Sequence, residues 1–307
     1  MFVSASKAID ILSNKGVVVL PTDTVYGLAG NATSDSAISK IYQKKGRPKV
    51  NPLIVHVKNI QDAMSFAVID QRSLTLSHHF WPSKPLTLVV PLAQESYISS
   101  IATAGLNSVA IRCPNHPIIQ SILKNLPFPL CAPSANLSER LSTTNALDVL
   151  AQLNIPVVDG GPCQIGIEST ILDMSTQIPR ILRLGAVLKE DIEIILNSNI
   201  DTLDRSDKVL APGMMLRHYA PRLPLRLNAK EPKKHEAFIA FGFTHIQTPY
   251  QLSLSTDLNE AACHLFSILN QADQPNLYQG IAMMPIPNIG IGCAINDRLK
   301  RASNDFL

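Results

Sequence analysis

Gly16-Val-Val-Val-Leu20, closed by Pro21, is a short β-branched run with a helical pattern on either side. Branched side chains suit a pleated strand, and proline ends one by removing a ladder donor. Upstream, Ser4 to Asn14 places Ala5, Ala8, Ile9 and Leu12 on one helical face, with Ser4 positioned to cap it and Gly16 beyond its end. Downstream, Asp35 to Gln43 repeats apolar residues three and four apart, and Leu53 to Val57 is again strand-like.

The alternation continues outward. Strands are expected at Leu86 to Val90, Val109 to Arg112, Pro156 to Val158, Thr170 to Asp173 and Ile181 to Leu184. Helices are expected at Ile60 to Phe66, Pro117 to Lys124, Thr144 to Leu153 and Val187 to Leu196. Strand and helix in turn over roughly the first two hundred residues predict a layered α/β domain. Asn197 to Asp207 is polar, acidic and turn-forming, which reads as a linker. The next segment, Ala211-Pro-Gly-Met-Met-Leu-Arg-His-Tyr-Ala-Pro221, carries Met214, Leu216 and Tyr219, which a solvated linker does not need, so it is expected to lie against something. A strand at Ala237 to Phe243, a helix at Leu258 to Gln271, a strand at Gly280 to Pro285 and a helix at Ala294 to Ala302 then predict a second, small α/β domain. The expected division is 1–205, a linker 206–222 and 223–307, with no internal repeat.

Composition narrows the function classes. The 307 residues are 46% hydrophobic and 17% charged, enough apolar matter for a sizeable core and too little charge for a disordered chain. A net charge of +3 gives no general basic surface for nucleic acid. Five scattered cysteines without a CxxC pair predict reduced thiols rather than a zinc site or a disulfide frame. No apolar run reaches the roughly 18 residues of a membrane span, and Lys7, Asp10 and Lys15 interrupt any signal-peptide pattern, so the expected compartment is cytoplasmic.

Three segments carry candidate chemistry. Between Lys40 and Lys49 stand Lys40, Lys44, Lys45, Arg47 and Lys49 with no acid among them, at a helix end and the start of a Gly/Pro turn. Cations there match the helix dipole, and the same arrangement lets a guanidinium and an ammonium reach adjacent phosphate groups. Ala132-Pro-Ser-Ala-Asn136 follows an apolar strand, and Asp159-Gly-Gly-Pro162 and Gly166-Ile-Glu-Ser-Thr170 place small residues at strand ends. Each is by itself an ordinary turn. Together they fit a polyanion, a nucleotide by the character of the side chains, at the edge of an open α/β sheet. The P-loop, HExxH and GxSxG patterns are absent.

Pro21-Thr-Asp-Thr-Val-Tyr-Gly-Leu28, Lys45-Gly-Arg-Pro48 with Asn51-Pro-Leu-Ile-Val-His-Val57, Ala132-Pro-Ser-Ala-Asn136 and Gly166-Ile-Glu-Ser-Thr170 together resemble the YrdC-like threonylcarbamoyl-adenylate synthases. The likeness spans about residues 5 to 190, and the later segments are similar to the linker and C-terminal domain of the family's long form. The resemblance implies a YrdC-like domain with a twisted, open mixed sheet flanked by helices, and a Rossmann-like C-terminal α/β domain. It implies formation of threonylcarbamoyl-AMP and pyrophosphate from L-threonine, bicarbonate or CO2, and ATP with Mg2+. The product is expected to pass to a tRNA threonylcarbamoyl transferase complex that modifies the adenosine beside the anticodon, with weak tRNA binding and no membrane partner. Lys45, Arg47, Ser134 and Asn136 match the family's catalytic Lys-x-Arg and Ser-x-Asn elements around the ATP phosphates. Asn51, Ser108, Ala132, Ser142, Arg183 and Tyr219 match further nucleotide positions, and Thr24, His56, Arg112 and Ser169 match threonine positions. Arg217, His218 and Tyr219 are expected to form a lid that keeps water from a labile carbamate. Tyr26 is expected to pack near the site, and no carboxylate cluster reads as a metal cage, so phosphate and water would supply most Mg2+ ligands. The alternatives are a non-catalytic nucleotide- or RNA-binding translation factor, disfavoured by the missing aromatic platform, and a carbamoyl transfer as in hydrogenase maturation, which would call for zinc-finger cysteines.

Overall fold

The fold comes from a computed structural model that describes residues 1–202 and 219–303. Helix α1 (Ala5–Ser13) starts where Ser4 Oγ accepts the Lys7 amide at 3.2 Å. Strand β1 (Val18–Leu20) returns as β2 (Gly27–Asn31), with Val19 opposite Leu28. Helix α2 (Asp35–Lys45) is capped by Ser34 and stopped by Gly46 in the left-handed region at φ +60°, which frees the chain to turn toward β3 (Ile54–His56). There follow α3 (Ile60–Met64), α4 (Gln71–Phe80), β4 (Leu86–Pro91), β5 (Ser108–Arg112), α5 (Pro117–Lys124), β6 (Leu130–Cys131), α6 (Ala146–Gln152), β7 (Thr170–Asp173), β8 (Arg180–Arg183), α7 (Lys189–Leu196) and β9 (Asp201–Thr202). The remainder is β10 (Leu225–Arg226), β11 (Glu236–Ala240), β12 (Tyr250–Gln251), α8 (Leu258–Ala272), β13 (Gly280–Met283) and α9 (Ile291–Ser303).

Among the described residues the first sheet has nine strands, ordered β1-β2-β6-β3-β5-β4-β7-β8-β9. β3 and β5, β4 and β7, and β8 and β9 are parallel, and the other neighbours antiparallel, so the sheet is mixed. β1 reads as an unbroken apolar run because both its faces are covered: Val18 and Leu20 pack with Leu12 and Ile122, while Val19 joins Ile38 and Ile41 in the main core. At the centre of the sheet the faces differ. Val55, Leu88, Ile111 and Leu172 enter the main core, and Ile54, Val89, Ala110 and Ile171 form a thin apolar layer on the other side. Residues in register share a face, so His56 beside Arg112, and Arg183 beside Ile171, emerge on that second side. This alternation builds the site.

The second sheet, β10-β13-β11-β12, is parallel throughout. Ala237, Ile239, Ile281 and Met283 pack against α8 and α9, while Phe238, Ala240 and Ala282 meet Ala229 and Ile246 from loops. The helices therefore cover one face of this parallel α/β layer, and the β11–β12 connection carries no helix. Two expectations change. Asp201 and Thr202, in the stretch read as a linker, pair with Arg180 and Ile181 as the sheet's last strand. Pro156 to Val158 forms only isolated bridges, from Val157 to Phe2 and Val19.

The two sheets share an apolar boundary. Val25, Leu141, Ile167 and Tyr219 belong to the second core, with Phe266 and Leu299. Gly166 sits there at φ +79°, where a Cβ would stand 2.3 Å from the Ala262 carbonyl oxygen and 2.4 Å from Cys263 Cα. Only glycine lets this turn lie on the backbone of α8.

Candidate active site

A cleft with about 550 Å³ of space free of atoms, part of it open to solvent, lies over the second face of the first sheet. Thr24, Arg47, His56, Arg112, Ala132, Ser134, Ser169, Arg183 and Tyr219 line it, nine positions singled out from the sequence, together with Thr22, Val25, Ile54, Pro133 and Glu168.

One end is built by β3, β5 and the β1–β2 loop. Thr22 shapes the loop, its hydroxyl donating to the Val25 carbonyl at 2.6 Å and accepting the Thr24 amide at 3.2 Å. Arg112 is 4% exposed; Nη1 donates to Thr24 Oγ1 at 2.8 Å and Nη2 to Asp23 Oδ1. A guanidinium has five N–H donors. Its Nε is buried and has no partner among the described residues. His56 Nδ1 faces the Ile54 carbonyl at 3.1 Å, and a carbonyl can only accept, so the proton is on Nδ1. Burial, then the Arg112 charge, push its pKa down to about 3, leaving a neutral ring with Nε2 as acceptor.

Two further cations line the cleft. Arg47 is pinned by Nε to the Asn51 carbonyl at 3.1 Å and by Nη2 to the Pro52 carbonyl at 2.9 Å, and desolvation brings its pKa down to about 10, still cationic at neutral pH. Arg183 Nε and Nη2 donate to the Ser169 carbonyl at 3.1 and 3.0 Å, and burial lowers its pKa. Ser169 Oγ also meets Thr87 Oγ1 at 2.7 Å. Tyr219, buried and at φ +63°, stacks on Phe266 with ring centroids 5.4 Å apart.

Five of the expected residues are not among those lining the cleft. Lys45 Nζ donates to the Ser134 and Asn136 carbonyls, which ties α2 to the Ala132–Asn136 loop, and burial followed by the Arg47 charge lowers its pKa well below the ordinary lysine value. Asn136 Nδ2 holds the Leu137 and Arg140 carbonyls at 2.7 and 2.9 Å, so it shapes the loop that presents Ser134. Ser142 Oγ donates to Glu168 Oε1 at 2.6 Å. Asn51 is buried and offers its carbonyl to Arg47 and to the Tyr42 hydroxyl. Ser108 shares the cleft face but starts β5 opposite Pro91, about 13 Å along the strand from Arg112 at the usual rise per residue. Tyr26 packs as expected, donating to the Gly161 carbonyl at 2.8 Å and accepting the Gly160 amide at 3.0 Å.

The expected lid residues Arg217 and His218 lie outside the described residues. Reading the sequence missed Glu168 as a lining residue, although it stands inside a quoted motif, and missed Asp23 as the partner of Arg112. The five cysteines are free thiols. Among the described residues no group of three or more His, Cys, Asp or Glu is placed to hold a metal ion, and no helix is long and apolar enough to cross a membrane.

A family model named Sua5/YciO/YrdC and described as "Telomere recombination" matches residues 10–185. A second, described as "Threonylcarbamoyl-AMP synthase, C-terminal domain", matches residues 187–304. A threonylcarbamoyl-AMP synthase of Bacillus subtilis is 35% identical over 97% of this chain and 92% of its own. Another, from Pyrococcus abyssi, is 33% identical over 94% of this chain and 90% of its own. The crystal structure of P. abyssi Sua5 complexed with L-threonine superposes with a TM-score of 0.89 at 30% identity, covering 98% of this chain and 94% of that one. With both of its halves matched in order, and relatives aligned over nearly its whole length, the chain belongs to the threonylcarbamoyl-AMP synthase family in the form that carries the additional C-terminal domain.

Proposed function

We propose that the cleft makes L-threonylcarbamoyl-AMP and pyrophosphate from L-threonine, bicarbonate or CO2, and ATP. What supports the reading is that one cleft is lined both by Arg112 and neutral His56, which suit an amino acid, and by Arg47, Arg183, Ser134 and Tyr219, which suit a nucleotide. The threonine bound to the P. abyssi relative supports the amino acid half.

Arg112 takes the threonine carboxylate with its remaining N–H groups, and His56 Nε2 with Thr24 and Ser169 orients the hydroxyl and amine. A histidine with a pKa near 3 is a poor proton store at neutral pH, so the proton released when the ammonium and bicarbonate condense to a carbamate and water goes to solvent. A carbamate oxygen then attacks the α-phosphorus of ATP, the bond to the bridging oxygen breaks, and pyrophosphate leaves. Negative charge moves onto the leaving group, where Arg47, Arg183 and the Ser134 hydroxyl stabilise it. Catalysis is thus chiefly positioning and electrostatics. The two nearby acids, Asp23 and Glu168, are engaged by Arg112 and Arg298, so Mg2+ would enter with ATP, held by phosphate and water oxygens, and would supply charge neutralisation there. The product is a mixed anhydride, to be passed to a transferase that modifies tRNA.

The test is mass detection of the adenylate together with pyrophosphate release, omitting threonine and bicarbonate in turn. Each omission should abolish the adenylate. Adenylate that forms without threonine, or ATP binding with no adenylate under any combination, would overturn the reading.

A further inference from the structure

We infer that Arg298, on α9 of the C-terminal layer, is a positioning residue for the nucleotide end of the cleft, acting through Glu168. The inference rests on the proposed synthase reading and extends it to the second domain.

Arg298 is the largest fully buried side chain, 1% exposed, yet it stands 130 residues from the motif it serves. A guanidinium held out of water must be paired where it sits. Nε donates to Glu168 Oε2 at 3.3 Å, Nη1 donates to the Leu184 carbonyl, and Cζ stands 5.8 Å from the centroid of the Tyr219 ring. Longer contacts reach back to the Ala294 carbonyl and Asp297 on its own helix. Each partner across the boundary bears on the cleft: Glu168 and Tyr219 line it, and Leu184 follows Arg183. Glu168 Oε1 takes the Ser142 hydroxyl, and the next residue, Ser169, holds Arg183 through its carbonyl and hydroxyl. One guanidinium from the second domain thus fixes the turn, strand and aromatic ring that form a single wall.

The charges give the arrangement its consequence. Glu168 is the one acid among the described residues lining the cleft, within electrostatic reach of Arg183, where the proposed reaction places a polyphosphate. Balanced from behind by Arg298, its carboxylate does not oppose that anion. Left unbalanced, it repels phosphate and competes for the arginines, and one such repulsion of about 1.4 kcal/mol corresponds to a tenfold loss of affinity. The threonine carboxylate is taken by Arg112, whose ionic partner is Asp23 rather than the acid that Arg298 holds, so threonine feels Arg298 only through Ser169 and less than the nucleotide does.

The experiment is calorimetric titration of the full chain with Mg2+ and α,β-methylene-ATP, and separately with L-threonine. Arg298→Met should raise the nucleotide Kd about tenfold or more while the threonine Kd stays within about threefold; adding Glu168→Gln should restore most of the nucleotide affinity. Arg298→Lys, which keeps the charge and loses the fork, should fall between, and it stands in if the methionine variant does not fold. The inference is overturned if folded variants bind nucleotide as the parent does, if both ligands weaken equally, or if Glu168→Gln gives no rescue. A parent chain that binds nucleotide but makes no adenylate would sink the synthase reading alone, since these ratios would still be measured.

Discussion

Replacing Arg112 by lysine separates the charge at the threonine end of the cleft from its geometry. In the parent, Nη1 and Nη2 hold Thr24 and Asp23, so the guanidinium is fixed before substrate arrives, with Nε buried and without a partner among the described residues. Lysine keeps a positive charge near Asp23 but offers one ammonium in place of a planar fork. At least one charge-assisted bond to the threonine carboxylate is lost, worth about 1.5–3 kcal/mol. That corresponds to a KM for threonine raised roughly 10- to 150-fold at saturating ATP and bicarbonate. Because the buried ion pair survives, the thermal midpoint should fall only a few degrees, whereas Arg112→Met leaves Asp23 buried and uncompensated at a cost of about 3–5 kcal/mol. Pyrophosphate release against threonine concentration, beside a melting curve, reads both effects. A folded Arg112→Lys with a threonine KM within twofold of the parent would refute the assignment of that end of the cleft.

Lys45→Met should strip the donor from two buried carbonyls, those of Ser134 and Asn136, costing about 2–5 kcal/mol and raising the KM for ATP as the loop loosens; a variant with the parent's melting temperature would contradict this role. His56 has a folded pKa near 3 against 6.5 for a free histidine, so between these values the unfolded chain binds the extra proton. Its contribution to stability is therefore complete above pH 6.5 and is lost as pH falls toward 3, and His56→Gln should flatten the acid side of the stability profile measured by denaturant titration. Tyr219→Ala removes the ring packed on Phe266 over the cleft and should raise AMP formed without adenylate severalfold over the parent, while unchanged coupling of pyrophosphate to product would count against shielding by this residue.

Local patterns revealed the elements whose signals are local. Ser4 and Ser34 cap helices where they stand before apolar periodicity, and β-branched runs became β4, β5, β7 and β8. Helix α4 went unread because Leu74, Leu76 and Phe80 are its only large apolar residues among serines, threonine and histidines. Strand β2 went unread because Gly27-Leu-Ala-Gly-Asn31 has little β propensity and is held by its neighbours in the sheet. In the site, motif matching found residues that belong to the cleft but not which ones face it: Lys45 and Asn136 turn their polar groups to the loop backbone, a difference of side-chain direction that spacing does not encode. Glu168 and Arg298 are paired across 130 residues, beyond any local pattern. One signal was available. Ile295, Leu299 and Ala302 mark the buried stripe of α9, and Arg298 falls on that stripe, where a charge needs a partner.

The most direct test of the account supplies carbon-13 bicarbonate with ATP, Mg2+ and L-threonine, and follows both the label and the phosphate products. Labelled threonylcarbamoyl-AMP is expected, with one pyrophosphate released for each adenylate formed. Release of ADP and inorganic phosphate, or an adenylate without the label, would contradict attack by a threonine carbamate on the α-phosphate of ATP.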